Sequence, residues 1–161
     1  KRVLDRGTVF LPEMKEAGEK EIIPDENWFI CGTDNSKGDG EDMDKYNTCN
    51  VQDAAFRNAW GIMLEIDYLT KEQETGLVEL WSPDMSKADA RKLATFSYLM
   101  HAAFRKGDVN TAFSPRQLQT VCKLVNGGVK VADAIEVSYT SFCSKSEMSD
   151  VLESYRAAFG S

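Results

Sequence analysis

Little in the chain would mark a membrane, secreted or metal-binding protein. No apolar run comes near the roughly 20 residues that a membrane helix requires. The start carries no charged-then-apolar leader pattern. A cytoplasmic protein with no membrane partner is expected. Histidine is almost missing, His101 standing alone. The four cysteines, Cys31, Cys49, Cys122 and Cys143, are widely separated and form no C-x-x-C pair. A zinc site using Cys49 and His101 is conceivable but has no support in the spacing, so no metal ligands are assigned. Reduced thiols, with Cys31 in an apolar strand and Cys122 in a helix, explain the cysteines best. Positive charge is short as well. The 19 Lys and Arg against 26 Asp and Glu leave a net charge of −7. A general nucleic-acid binder, which normally shows a basic face, is not expected. The phosphate-binding pattern G-x-x-x-x-G-K-[ST] is missing too: GEKE at 18–21 has neither its spacing nor its terminal hydroxyl. No internal repeat is evident.

What is present divides into two regions. The 161 residues suffice for one domain or two small subdomains. Up to about Leu69 the pattern is mixed α/β. Thr8 to Leu11 and EKEIIPD at 19–25 read as short strands. In NWFICGTDN at 27–35, the aromatic and β-branched run Trp28 to Gly32 reads as a strand buried on both faces. It ends in a polar cluster, with Asn35 at its carboxyl tip. That is either a plain turn or the place where open α/β sheets carry ligands. An acidic loop at 37–50 follows, without the residue order of a calcium loop. A short helix at 52–58 and an alternating strand, Ile62 to Ile66, complete the region.

From Thr70 onward the pattern is helical. Thr70-Lys-Glu-Gln73 and Ser114-Pro-Arg-Gln117 are capping boxes, and Ser86 can cap a helix with Asp89 in its first turn. Pro83, Gly107 and Gly127-Gly128 mark stops. Leu93, Phe96, Met100, Ala103 and Phe104 recur at three- and four-residue steps. So do Leu118, Val121, Cys122 and Val125. Val131 to Cys143 is expected to form a further helix. Ser144-Lys-Ser-Glu147 should cap the last one, which carries Val151, Leu152, Tyr155 and Phe159. The layout is the end of an α/β sheet followed by an all-α subdomain of about five helices.

Four ordered segments add a resemblance: TDNSKGDGEDMDKY at 33–46, WGIMLEIDYL at 60–69, FSPRQLQT at 113–120, and DAIEVSYTSFCSKSEMSDVLESYRAAFG at 133–160. Together they resemble the latter half of an AAA+ ATPase core of the MoxR type. Within it they are most similar to the ATPase subunits of aerobic cobaltochelatase, the CobS group, relatives of which also occur in large tailed phages. The resemblance implies the carboxyl-terminal portion of a P-loop AAA+ sheet over 1–69 and a helical lid subdomain over 70–161. KRVLDRG at 1–7 reads as the end of a helix closed by Gly7, so an upstream portion is expected to hold the phosphate loop and the magnesium ligands. ATP and Mg2+ are the implied cofactors. A homo-oligomeric ring, a hexamer, and a second protein subunit are the implied partners. The implied activity is ATP-driven remodelling of that partner. In a phage, the compartment would be the host cytoplasm.

The resemblance also implies site residues. Asn35 matches the sensor-1 position, where a neutral amide can hold a water near the γ-phosphate without adding negative charge. The alternative is an Asn that forms the turn with Thr33 and Asp34. Arg116 matches the sensor-2 arginine, a permanent cation in the first turn of a helix whose free N–H groups already favour anions. The alternative is an ordinary surface arginine. At the arginine finger the family pattern D-R-W is replaced by Asn58-Ala59-Trp60. Ala59 cannot stabilise charge on a neighbour's nucleotide. Arg57 is the candidate that remains. On a regular helix it points roughly 200° away from position 59, so it could substitute only if the turn there is irregular. A hydrolysis-poor, nucleotide-gated scaffold, or an interaction module, is the competing functional expectation.

Overall fold

Thr70 opens the helical region as its side chain allows. Its hydroxyl accepts from the Gln73 N–H at 3.3 Å, and the Gln73 side-chain oxygen accepts from the Thr70 N–H at 2.9 Å. The computed structural model describes residues 7–11, 13, 21–34 and 53–160. The chain divides into two compact units, Lys1–Glu65 and Ile66–Ser161.

In the second unit, α2 is Lys71–Trp81, α3 Lys87–Lys106, α4 Pro115–Asn126, α5 Val131–Ser138 and α6 Met148–Phe159. Ser86 caps α3 by accepting from Asp89 N–H at 3.1 Å. Gly107 closes α3 in the left-handed region at φ 83°, a conformation open to glycine without steric cost. The three- and four-residue stripe of α3 is realised: Ala90, Leu93, Phe96, Met100 and Phe104 are buried, with Ala103 half-buried beside them. Helix α3 packs on α2 and α6, and α4 packs on α2 and α5. Phe96 lies at the centre, edge-on to Phe113 (5.3 Å), Tyr139 (6.4 Å) and Tyr155 (6.2 Å). Leu118, Val121, Cys122 and Val151 complete the core, while Leu152 is exposed.

Two boundaries differ from the sequence pattern. The helix expected over 131–143 ends at Ser138, and Thr140–Phe142 form a separate 3-10 turn. Tyr139 leaves helical geometry (φ −140°, ψ −58°) and sends its ring into the core and its hydroxyl to Thr111 O at 2.7 Å. The last helix begins at Met148 rather than directly after Ser144. The Glu147 carboxylate does reach back to Ser144 N–H at 2.6 Å, but the Ser144 hydroxyl turns to Ser146 instead of capping.

In the first unit, β1 (Val9–Phe10) pairs antiparallel with β2 (Glu21–Ile22), with Val9 opposite Ile22. Helix α1 is Ala54–Arg57, capped by Asp53 accepting from Ala55 N–H at 3.0 Å. The two longer strands expected from the pattern, Trp28 to Gly32 and Ile62 to Ile66, are not strands: neither joins a ladder among the described residues. No described residue before Ile66 is buried. Phe29 is 79% exposed, Ile62 80% and Ile66 91%. Cys31, expected in the core, is exposed for the same reason. A strand needs neighbours for its hydrogen bonds and both its faces. The described residues supply none for these two segments, so the P-loop sheet itself is not seen. The mostly helical architecture with a small two-stranded sheet is consistent with the carboxyl-terminal helical part of an AAA+ protein. Among the described residues no helix is long and apolar enough to cross a membrane.

Candidate functional site

Arg116 occupies the second position of α4. Pro115 at the first position has no N–H to lose there, and its ring pre-sets the helical φ. Ser114 forms the cap: its N–H donates to the Gln117 side-chain carbonyl at 3.1 Å, and its hydroxyl donates to the same oxygen. The first intrahelical bond is Leu118 N–H to Ser114 O at 3.1 Å. The N–H groups of Arg116 and Gln117 lie before the ladder begins; the capping box gives the Gln117 N–H to the Ser114 side chain, and the Arg116 N–H stands at the positive end of the helix dipole. The Arg116 side chain is exposed and makes no ion pair with a carboxylate among the described residues. A guanidinium and an unladdered amide at one helix start suit a phosphate or polyphosphate group.

The connector leading to that helix start is pinned at successive residues. Asn110 N–H and Thr111 N–H both donate to Glu147 Oε1, at 2.6 and 3.0 Å. Burial pushes the Glu147 carboxyl up, but hydrogen bonds from Ser144, Asn110 and Thr111 together outweigh it and hold it at about 2. Thr111 O accepts from the Tyr139 hydroxyl. Val109 and Phe113 are fully buried.

Beneath the connector lies a buried polar cluster. Glu74 of α2 is 1% exposed, and His101 of α3 is 3% exposed. Ser97 donates to Glu74 Oε1 at 3.0 Å. His101 Nε2 lies 2.7 Å from Phe113 O, which requires that nitrogen to carry the proton and donate. His101 Nδ1 stands 3.7 Å from Glu74 Oε1, without a hydrogen-bond partner, as does Glu74 Oε2. Burial raises the Glu74 carboxyl to about 7 against the opposing bond from Ser97, and burial lowers the His101 imidazole. Tyr68 stacks on the His101 ring at 3.8 Å. Arg105 lies over the other ring system, 5.4 Å from the Tyr68 centroid, and pairs with Asp67. The Asp67 carboxyl is lowered by the N–H of Tyr68 and by Arg105. Asp67, Tyr68, His101 and Arg105, with Lys71 and Tyr98, line an open cleft of about 490 Å3.

In the first unit, Gly32 approaches Trp60 so closely that a Cβ there would sit 3.1 Å from the indole ring. The segment that runs toward Asn35 thus starts against the residue that follows Ala59. Asn35 itself, and the acidic loop after it, lie outside the described residues. Arg57 ends α1. Beyond it the bonds tighten from Asn58 N–H to Ala54 O into Ala59 N–H to Phe56 O and Trp60 N–H to Arg57 O. The chain therefore tightens from α toward 3-10 spacing just after Arg57. Arg57 and Arg116 belong to different compact units.

Sequence reasoning missed Glu74, Ser97, His101 and Glu147 as a set of partners. A signal existed for the first three. Glu74 precedes the buried Val78 by four residues, and Ser97 and His101 fall on the Leu93 to Phe104 face at the same spacing.

No known family profile matches the chain, and no solved structure matches it. It is 27% identical over 143 residues to the aerobic cobaltochelatase subunit CobS of a Sinorhizobium species. That similarity covers 86% of this chain and 43% of the relative, so the chain spans less than half the length of the protein it matches. A distant CobS-like relationship is what the comparison establishes.

Proposed function

We propose that the chain is the carboxyl-terminal part of an AAA+ ATPase of the MoxR and CobS kind, in which Arg116 contacts the β- and γ-phosphates of bound ATP. The observation that carries this reading is the helix start itself. An exposed guanidinium, the unladdered Arg116 amide and no carboxylate competitor among the described residues stand at the end of a connector fixed from several sides. The similarity to CobS runs through this segment and over most of the chain. ATP with Mg2+ supplies phosphoryl transfer when bound. Arg116 would hold the phosphates and report their presence to the helical unit, and Asn35 would position a water with its neutral amide. The full protein would work as a homo-oligomeric ring, a hexamer, whose helical units act on a second protein subunit in the cytoplasm. If the parallel with the cobaltochelatase subunit extends to its role, that partner would be the rest of a metal-inserting complex.

One observation favours a second reading, a nucleotide-gated scaffold that turns over slowly. Ala59 carries no charge where the related pattern has Arg, an omission that costs several powers of ten in related phosphoryl transfers. Arg57, just before the tightened turn, is the residue that would compensate.

The test uses the full-length protein. Steady-state ATP turnover and binding of a fluorescent ATP analogue are measured for the native protein and for Asn35→Ala, Arg57→Ala and Arg116→Ala. The motor reading expects turnover lost in Asn35→Ala with binding kept, and binding weakened roughly tenfold or more in Arg116→Ala, the worth of a charge-assisted contact. Native binding without turnover establishes the scaffold. Absence of nucleotide binding in the native protein sinks both.

A further inference from the structure

The carbonyl of Phe113 belongs to no helix. Helix α4 takes its first acceptor from Ser114 O, one residue later. Phe113 is fully buried, so its carbonyl cannot be satisfied by bulk water. The group that reaches it is His101 Nε2, at 2.7 Å, from the second-last turn of α3. An apolar residue at 101 would fill the space and leave that acceptor orphaned, at a cost of about 1–3 kcal/mol.

The imidazole is itself held. Tyr68, from the segment entering α2, stacks on it with ring planes 12° apart. Glu74 and Ser97 stand behind it, and the Glu74 carboxyl accepts from Ser97 rather than reaching out of the core. A core built for stability alone would not keep a carboxyl oxygen and a ring nitrogen buried without partners, because each raises the cost of folding. What the cluster does accomplish is directional. One face of the ring and one nitrogen are oriented so that the other nitrogen meets the carbonyl immediately before the α4 cap, three residues from Arg116.

We infer that His101 is a positioning residue: held by Tyr68 and backed by Glu74 and Ser97, it fixes the Phe113 carbonyl and with it the place and direction in which the α4 amino terminus presents Arg116 to phosphate. The phosphate half of this inference rests on the function proposed above. The brace half does not. Glu147 and Tyr139 fix the connector at residues 110 and 111, and His101 fixes its last residue before the cap. Losing His101 alone therefore frees the helix start while leaving the rest of the connector in place.

The experiment compares His101→Leu, His101→Gln, Arg116→Ala and the double variant His101→Leu/Arg116→Ala in the full-length protein. Three quantities are read: thermal midpoint, amide exchange over residues 114–120, and affinity for MgATP. His101→Leu is expected to keep a cooperative melt, to raise exchange at the α4 start, and to weaken MgATP about tenfold. The Gln side chain places an amide donor near the Nε2 position, so His101→Gln is expected to recover both exchange protection and affinity. The double variant should bind no more weakly than Arg116→Ala, because the His101 effect acts through Arg116. Should His101→Leu fail to fold, His101→Asn, whose amide falls short of the carbonyl, replaces it with the same expectations. Unchanged exchange and affinity in the Leu or Asn variant overturn the inference, as do losses that add to those of Arg116→Ala. In either case the functional reading stands if Arg116→Ala still weakens binding. If Arg116→Ala leaves affinity unchanged, the functional reading fails and takes the phosphate half with it, while the exchange data decide the brace separately.

Discussion

In the helical unit Phe96, Phe113 and Tyr139 are sealed from solvent, whereas before Glu65 Phe29, Ile62 and Leu64 stand about four-fifths exposed. Both regions are rich in apolar residues. The difference lies in what each kind of backbone demands. A helix satisfies its own N–H and C=O groups and needs only one stripe covered, and five helices connected by short links can cover one another. A central strand depends on neighbours at both edges and on both faces. Those neighbours are absent among the described residues, so the side chains meant for them face outward. Hydrophobicity therefore indicates a need for burial, and topology decides whether the same stretch of chain can meet it.

The sharpest way to break this comparison is to truncate one aromatic on each side. Phe96→Ala should destabilise the helical unit by about 3–5 kcal/mol, since the ring is fully buried among four aromatics. Phe29→Ala should move the denaturation midpoint by less than about 0.5 kcal/mol equivalent. Urea unfolding followed by circular dichroism measures both, and similar losses would show that the residues before Glu65 bury a core after all.

A smaller effect tests whether the helical unit is as self-sufficient for polar groups as for apolar ones. Glu147→Gln should cost about 2–3 kcal/mol, because the one amide oxygen can serve at most two of the three backbone N–H groups, its NH2 faces the third, and the carboxylate charge is lost. In the native protein the Glu147 carboxyl lies well below its ordinary 4.5, at about 2. Its contribution is present above the unfolded value and is lost as the pH falls from about 4.5 through about 2. An acid titration of stability in which the native protein and Glu147→Gln keep a constant gap across that window would refute the assignment.

The smallest effect concerns Glu74 and His101. Glu74 is raised to about 7, so its contribution is full below 4.5 and is lost as the pH rises through about 7. His101 is lowered from 6.5, so its contribution is present above 6.5 and is lost as the pH falls. The two slopes oppose each other just below 6.5, where the pair's net pH dependence in the native protein should be smaller than that of either group alone. Glu74→Gln removes one of them. That variant should lose stability as the pH drops below 6.5, measured by melting in matched buffers. A flat profile in Glu74→Gln would mean that His101 is not held neutral by burial.

Particular elements show where legibility ended. The Thr70 box, the Ser86 cap, the Gly107 stop and the Phe96 stripe were readable because each depends on residues within about one turn of one another. The break at Tyr139 was not, because nothing local distinguishes it. Its ring leaves the helix to meet Phe96 and Phe113, far away in sequence. Arg116 was readable as a helix-start arginine from Ser114-Pro115. The strands at 28–32 and 62–66 were read from composition alone, and composition could not supply their neighbours.

From its own residues the sequence determined where the helices of the second unit start, which faces they bury and which arginine stands at the α4 start, since caps, proline and three-four spacing act over a few residues. Only the tertiary structure decided that Glu74, Ser97 and His101 meet under the Phe113 carbonyl and that Glu147 ties down residues 110 and 111. Those partners lie 12 to 37 residues apart or on different helices. Which polar groups find one another across such distances is settled by how the helices pack and which groups that packing removes from water.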